Sequence, residues 1–205
     1  MTKRPIDDFH IEYETNRMWE RTSWLGVPIL KLPFDLWIMQ ELIFKIKPDY
    51  VIETGTAYGG STLFYSSILR LLGHGKVITV DTEDKCGLKS DLILKIIGSS
   101  IDYAIFKEIR EITRDKKNIV FLDSWHSKDH VLKELGLYSM LIPVGSYIVA
   151  EDTHVSGHPV KWKWGEGPYE AVQEFLKHNS DFEIDKECEK LIFTFNPSGY
   201  LRRIK

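Results

Sequence analysis

The sequence is poor in cysteine, in long apolar runs and in net charge of either sign. Its two cysteines, Cys86 and Cys188, lie far apart and form neither a C-x-x-C motif nor the Cys-His spacing of a zinc site, so we expect free thiols in a reducing compartment. No apolar stretch reaches the length of a membrane span, and the N-terminus lacks the apolar core of a signal peptide. We therefore expect a cytoplasmic protein without a membrane segment.

The charged residues provide no basic field for nucleic acid or an anionic membrane. The 27 lysines and arginines stand against 30 aspartates and glutamates, which gives a formal net charge of -3, and the basic residues form no long block. With 205 residues, 43% of them hydrophobic, the chain is long enough for one well-buried globular domain. These numbers favour a small-molecule ligand.

Short apolar runs alternate with helical segments along the chain. Runs that are apolar on both faces, as in parallel strands covered by helices, occur at 49–55, 76–81, 118–123 and 146–152. Helices are predicted at 34–46, 61–73, 101–109, 128–138 and 168–179. Two extended segments within 182–204 are separated by a short connection and can pair as an antiparallel hairpin. The pattern predicts a doubly wound α/β sheet over 49–205, with residues 1–48 as a helical segment that covers the sheet edge or the site.

Each of the four predicted strands ends at an acidic side chain. These are Glu53, Asp81, Asp123 and the adjacent pair Glu151–Asp152. A single acid at a strand end is usually a solvated surface residue. The carboxyl ends of parallel strands meet at one rim, however, where ligands bind, and carboxylates gathered there repel one another unless cations or hydrogen-bond donors lie among them. The sequence therefore predicts a ligand site along this rim.

A glycine-rich turn joins the first predicted strand to its helix. It reads ETGTAYGGS, from Glu53 to Ser61, and its glycines allow backbone to approach a ligand closely. It is not a Walker A loop, because no Gly-Lys-Ser/Thr follows. Downstream, Asp81 is placed to accept hydrogen bonds from the two hydroxyls of a ribose. The pattern indicates an adenosine-containing ligand, either NAD or S-adenosylmethionine (SAM), and the C-terminal hairpin favours SAM, because dehydrogenases usually continue with further parallel units.

Seven stretches together resemble a known family. From about Trp24 to the C-terminus, the chain contains, in this order, VIETGTAYGGS, VITVDTE, IIGSS, FLDSWHSKDHV, YIVAEDT followed by GHPV, GPYEAVQEFL and FNPSGYLRR. They resemble the cephalosporin hydroxylase-like family, which includes rhamnosyl O-methyltransferases. The resemblance implies a seven-stranded Rossmann-like class I methyltransferase sheet, SAM as cofactor and a divalent metal ion.

The resemblance also implies roles for individual residues. The implied metal ligands are Asp123, Glu151 and Asp152, and three carboxylates suit Mg²⁺, which prefers oxygen ligands. His126 follows Asp123 by three residues, where related enzymes place a basic residue, and is the implied general base beside Asp123. The implied cofactor-binding residues are Glu53, Gly55, Thr56, Tyr58, Gly59, Ser61, Asp81, Ser99, Ser100 and Asp123.

The other histidines and two tryptophans carry weaker expectations. His130 falls in a predicted helix and is interpreted as a packing residue. His154 either lies near the metal or is an ordinary loop residue, and His158, before a proline, is interpreted as structural. Trp162 and Trp164 belong to a long loop that forms a lid, a wall for sugar stacking or a protein interface.

The predicted function is SAM- and Mg²⁺-dependent O-methylation of a hydroxyl on a sugar or glycosylated natural product, with His126 removing the proton. One alternative is a non-haem iron hydroxylase that uses Asp123, His126 and His154, although three acids beside one histidine favour Mg²⁺. The other alternative is a binding subunit that retains SAM without turnover. We also expect a homo-oligomer.

Overall fold

The structure, a computed structural model, describes residues 4–161 and 165–205, so Trp162 and Trp164 lie outside the described residues. The described helices are α1 (Pro5–Thr15), α2 (Pro33–Ile46), α3 (Gly60–Leu72), α4 (Tyr103–Ile112), α5 (Lys128–Tyr138) and α6 (Pro168–His178). The described strands are β1 (Ser23–Trp24), β2 (Val27–Pro28), β3 (Tyr50–Thr54), β4 (Lys76–Asp81), β5 (Ile93–Ile97), β6 (Asn118–Leu122), β7 (Tyr147–Ala150), β8 (Phe182–Ile184) and β9 (Tyr200–Arg203). None of these helices is long and apolar enough to span a bilayer.

Seven strands form one sheet in the order β5-β4-β3-β6-β7-β9-β8. The first five strands in this order run parallel, and β9 lies antiparallel to both of its neighbours. The chain order reverses between β3 and β6, which is where an open α/β sheet offers a crevice for a ligand. The predicted doubly wound sheet is therefore confirmed, and its topology places the binding crevice at the ends of β3 and β6.

Apolar side chains cover both faces of the central strands because successive residues of a strand point to opposite faces. One face packs under α4, α5 and α6, and includes Ile52, Ile78, Val120 and Ile148. The other face packs under α2 and α3, and includes Val51, Val77, Ile119 and Val149. This double coverage explains why the strand sequences are continuous apolar runs, not alternating ones. It also places α2 in the main core, whereas the division at residue 48 stays a prediction.

Three local features differ from the sequence predictions. The edge strand β5 was not among the predicted runs, since Lys95 interrupts its apolar residues and only Ile96 of the strand is buried. The strands β8 and β9 pair antiparallel, but residues 185–199 connect them, so the short connection predicted for this hairpin was wrong. Within the N-terminal segment, β1 and β2 form a small antiparallel pair where the sequence suggested helices.

Candidate functional site

A cavity of about 480 Å³ opens at the carboxyl ends of the parallel strands. Its size suits a small molecule or nucleotide cofactor. Eight of the ten predicted cofactor-binding residues line it: Gly55, Thr56, Tyr58, Ser61, Asp81, Ser99, Ser100 and Asp123. The structure thus places most of the predicted cofactor-binding residues around one cavity, although they come from four separate segments of the chain.

The glycine-rich turn fits closely against the end of β6. Gly55 has a φ of 87°, and a Cβ built on it would lie 1.9 Å from the carbonyl oxygen of Asp123. The backbone N–H of Asp123 in turn donates to the carbonyl oxygen of Thr54 at 3.0 Å. Only glycine fits this position, because both the positive φ and the contact with backbone exclude a side chain. The turn and the first acid of the rim are therefore held together.

Two predicted cofactor residues lie outside the cavity lining. Glu53 is fully buried beneath the turn, where one carboxylate oxygen accepts from Thr62 Oγ1 at 2.5 Å and from Thr79 Oγ1 at 2.9 Å. Burial raises its pKa. A Cβ on Gly59 would lie 2.4 Å from Cys86 Sγ, so this glycine packs against a neighbouring loop. Both residues support the turn from behind, and their contact with a cofactor stays a prediction.

Asp81 lies at the end of β4 with its side chain toward the cavity. Its Oδ2 accepts from the backbone N–H of Ala57 at 2.9 Å, and its Oδ1 accepts from the N–H of Glu83 at 3.1 Å. Each carboxylate oxygen can accept a second hydrogen bond. The carboxylate is therefore fixed in orientation while it can still accept from the hydroxyls of a ribose.

Across the cavity, Asp123, Asp152 and His126 converge. One ligand atom from each lies within 4.8 Å of the others, and within the described parts of the chain this is the one group of three or more acidic, histidine or cysteine side chains that does so. His126 Nε2 lies 3.2 Å from Asp123 Oδ1, and its Nδ1 lies 3.5 Å from Asp152 Oδ2. Burial opposes the charged imidazolium, but the carboxylates of Asp152 and Asp123 outweigh it and raise the pKa of His126 to about 9.

Lys31 enters the same cluster from the N-terminal segment. Its side chain is 4% exposed, and its Nζ lies 2.6 Å from Asp123 Oδ2 and 2.6 Å from Glu151 Oε2. Lys31 was not predicted as a site residue from the sequence. Its position could have indicated one, because Lys31 is a single charge within the apolar stretch VPILKLPF, from Val27 to Phe34. A lysine in such a stretch is rarely buried without a paired carboxylate.

The adjacent acids at the end of β7 serve different faces. Asp152 lines the cavity, whereas Glu151 is not among the lining residues and is paired with Lys31. The Oε1 atom of Glu151 is buried and has no hydrogen-bond partner. Asp152 has a φ of 55°, and its backbone N–H donates to Asn196 Oδ1 at 2.9 Å. The left-handed backbone at Asp152 is thus held by a residue far along the chain, and it turns that carboxylate toward His126.

Buried polar contacts fix the segment that holds Asp152. The carboxylate of Asp35, on α2, accepts from Thr194 Oγ1 at 2.5 Å and from the N–H of Phe195 at 2.8 Å. His154 is buried, its ring stacks on Phe195 with centroids 4.1 Å apart, and its Nδ1 lies 2.9 Å from the carbonyl oxygen of Phe195. His154 is not among the cavity-lining residues. It packs behind the site, and the ring of His10 from α1 stacks on it at 4.9 Å.

Two further histidines take different positions. His130 lines the cavity, and its Nε2 lies 3.1 Å from Ser100 Oγ and 3.0 Å from Ser124 Oγ. The interpretation of His130 as a packing residue was therefore incomplete. His158 Nε2 lies 2.6 Å from the carboxylate of Glu170 at the start of α6, in agreement with its structural interpretation.

The donor set of the cluster fits a hard divalent cation. Two carboxylates and one imidazole converge, and the nearby Glu151, which is paired with Lys31 through Oε2, has a buried Oε1 without a hydrogen-bond partner. A facial iron site needs two histidines and one carboxylate, the reverse of this composition. His154 is not part of the converging group, and its Nδ1 lies 2.9 Å from the carbonyl oxygen of Phe195. The oxygen-rich set therefore favours Mg²⁺ over iron.

The family described as rhamnosyl O-methyltransferase/CmcI matches residues 16–204 of the chain. This chain belongs to that family. Two curated relatives named rhamnosyl O-methyltransferase, from Mycobacterium tuberculosis and Mycobacterium leprae, are each 36% identical to it. The first alignment covers 98% of this chain and 87% of the relative, and the second covers 99% and 94%. Membership confirms the predicted family and the predicted enzyme class, a SAM-dependent O-methyltransferase.

Solved structures show the same fold at lower identity. A structure of CmcI with Mg and SAM has a TM-score of 0.70 and 19% identity, and the match covers 91% of this chain and 78% of that chain. A structure of MycE with Mg, S-adenosylhomocysteine and mycinamycin VI has a TM-score of 0.54 and 18% identity, covering 69% of this chain and 39% of that chain. These similarities confirm that this chain has the class I methyltransferase architecture.

Proposed function

We propose that this family member transfers the methyl group of SAM to a sugar hydroxyl, with Mg²⁺ at the acid cluster and His126 as the base. The observation that carries the proposal is a shared lining. The cavity formed by the glycine-rich turn and Asp81 also exposes Asp123, His126 and Asp152. A cofactor in this cavity and a hydroxyl at the cluster would therefore be neighbours, as methyl transfer requires.

The glycine-rich turn and Asp81 would bind the cofactor. Asp81 would accept from the ribose hydroxyls, while the turn approaches the methionine part through backbone alone. Ser99, Ser100 and the adjacent His130 would offer hydroxyl and ring-nitrogen groups to the adenine of the cofactor. Two half-exposed aromatic side chains, Tyr58 and Trp125, also line the cavity and offer surfaces for stacking.

Asp123 and Asp152 would hold the metal ion, with Glu151 as the third carboxylate predicted from the sequence. A divalent ion there would polarise the substrate hydroxyl and, by offsetting the two carboxylates, lower the pKa of His126 toward neutrality. This matters because His126, with its pKa raised to about 9 by those carboxylates, is otherwise protonated at neutral pH and cannot accept a proton.

The reaction forms a carbon–oxygen bond and breaks the carbon–sulfur bond of the sulfonium. His126 accepts the hydroxyl proton, and the products are a methyl ether and S-adenosylhomocysteine. Asp123 orients the imidazole of His126 through the 3.2 Å contact with its Nε2. Because the sulfonium is already reactive, placement of the hydroxyl oxygen against the methyl carbon supplies most of the acceleration.

A sugar acceptor is supported by the relatives. Both are named rhamnosyl O-methyltransferase and align with this chain over nearly its whole length. We therefore propose a rhamnose-containing glycoside as the first acceptor class to test. The homo-oligomer and the cytoplasmic location expected from the sequence stay predictions. The exposed side chains of Trp37 and Phe44 on α2, 61% and 60% accessible, support an assembly, which light scattering would measure.

The test is formation of S-adenosylhomocysteine from SAM and a panel of rhamnosides, with Mg²⁺ or with EDTA. We expect turnover that EDTA abolishes. The variant His126→Gln should lower kcat by about 10²–10⁴-fold and retain SAM binding. The exposed His178→Gln, on the outer surface of α6, is the matched control. Turnover unaffected by EDTA, or full activity in His126→Gln, would contradict the proposed metal or base.

A further inference from the structure

Lys31 is a buried cation placed inside a cluster of acids. Its ammonium lies 2.6 Å from one oxygen of Asp123 and 2.6 Å from one oxygen of Glu151; Lys31 and Glu151 are buried, and Asp123 is partly buried. Burial disfavours its charge, but Asp123 and Glu151 outweigh that cost and hold the pKa of Lys31 well above its usual range. The two ion pairs thus hold the Lys31 ammonium at the place where a divalent cation is proposed to bind.

The backbone that precedes Lys31 packs closely against the first residue of α3. A Cβ on Gly60, the first residue of α3, would lie 2.2 Å from the carbonyl oxygen of Pro28 and 2.5 Å from the Cα of Ile29. Leu30, immediately before Lys31, has a φ of 52°, which is uncommon for a side chain other than glycine. A residue of this kind persists only where its surroundings hold it in place, and the next residue, Lys31, is held by two ion pairs.

The carboxylate oxygens are divided between two cations. Asp123 presents Oδ1 to His126 and Oδ2 to Lys31, while Glu151 presents Oε2 to Lys31 and keeps a buried, partnerless Oε1. The ammonium of Lys31 thus contacts one oxygen of each of two carboxylates in the acid cluster. A divalent ion added to this cluster would lie close to the ammonium and be repelled by it.

We propose that Lys31 is a built-in counter-cation that pairs with Asp123 and Glu151 when no divalent ion is bound, and competes with that ion for the acid cluster. The inference rests on the proposed metal site and deepens it. Lys31 thereby keeps three neighbouring acids compatible with folding in the absence of metal, and it weakens metal affinity as a consequence.

The test compares metal affinity with and without the ammonium in a background where Glu151 cannot take up a proton. The two proteins are Glu151→Gln and Lys31→Met/Glu151→Gln, so that removing Lys31 changes the charge by one and leaves no unpaired glutamate. Mn²⁺ is the probe, and electron paramagnetic resonance measures the free ion during a titration. Lys177→Met in the same background, an exposed lysine on α6, is the matched control.

We expect the double variant to bind Mn²⁺ at least about tenfold more tightly than Glu151→Gln, with no change for the control. A role of Lys31 in folding alone would not tighten metal binding. Equal affinity in the two proteins would overturn the inference, as would weaker binding in the double variant, which would make Lys31 a support of the metal site. If the wild-type protein binds no Mn²⁺, the proposed metal site itself fails, and the competition fails with it.

Discussion

The two halves of the site, one built around the glycine-rich turn and one around the acids, share a rim but are assembled differently. The turn half is centred on one continuous turn, 53–61, with Asp81 hydrogen-bonded to the N–H of Ala57. The acid half depends on Lys31, which is 92 residues from Asp123 and 120 residues from Glu151. The comparison shows that a ligand-shaped loop forms from local sequence, whereas a charge-balanced cluster needs a partner from a distant segment.

The largest effect is expected from breaking the acid half. Lys31→Met should lower the free energy of unfolding in EDTA by about 3–5 kcal/mol, because it leaves the buried Glu151 and the partly buried Asp123 without their cation. Denaturant unfolding measures this. Lys31→Met/Glu151→Gln should recover much of the loss, and the exposed Lys177→Met should change little. A loss below about 1 kcal/mol in Lys31→Met would mean that the ion pairs contribute as little as those at a surface.

The second-largest effect is expected from a substitution that disrupts the contact between the two halves. Gly55→Ala should destabilise the protein by about 2–4 kcal/mol and abolish SAM binding, because its Cβ would overlap the backbone carbonyl of Asp123 and its φ is positive. Gly136→Ala is the matched control. Gly136 is an exposed position on α5 with open space around it, so alanine should stabilise that helix by about 0.5–1 kcal/mol. Normal SAM binding in Gly55→Ala would contradict the described packing.

The turn half alone is tested at Asp81. Asp81→Ala should weaken SAM binding by about 10–100-fold, since two ribose hydroxyls would lose their acceptor. Mn²⁺ affinity should stay unchanged, because Asp81 belongs to the other half of the rim. Calorimetry gives both constants, and Asp84→Ala, an exposed acid nearby, serves as control. Parallel losses of SAM and Mn²⁺ affinity would show that the halves are not separable.

The smallest effect concerns pH and His126. Although burial opposes its charge, Asp152 and Asp123 raise its pKa to about 9 in the folded metal-free protein, above the unfolded value near 6.5. The group therefore contributes stability that is fully present below about pH 6.5 and lost as the pH rises through about 9. In EDTA, the stability difference between wild type and His126→Gln should shrink over this interval. Mg²⁺ should reduce the pH dependence, and a flat difference would contradict the pairing.

Local pattern was enough to predict most of the sheet, the glycine-rich turn and Asp81. Apolar runs covered on both faces mark β3, β4, β6 and β7, and each strand's carboxyl end follows directly from its sequence. Strand β5 escaped because an edge strand interrupted by Lys95 loses the continuous apolar character of its neighbours. The pairing of β8 and β9 was predictable, but the length of their connection was not. Residues 185–199 include a short 3₁₀ helix, Lys186–Glu189, whose sequence does not differ from that of other polar stretches.

The acid half illustrates what sequence alone does not contain. The sequence presents Glu151 and Asp152 as an equivalent pair, yet one faces Lys31 and the other faces His126. Their separation depends on the left-handed backbone at Asp152 and on Asn196, and the charge of the cluster depends on Lys31. The contacts of Glu53 with Thr62 and Thr79 were not predictable from the sequence for a related reason, since they exist only once α3 is packed on the sheet.

The most direct measurement is calorimetric titration of SAM into the wild-type protein, first with Mg²⁺ and then with EDTA. Because the cavity of the turn half is formed without the metal, the account predicts binding in the micromolar range under both conditions, with Asp81→Ala weaker in each. Absence of SAM binding in the wild-type protein, with or without Mg²⁺, would contradict the account that this cavity holds the methyl donor beside the acid cluster.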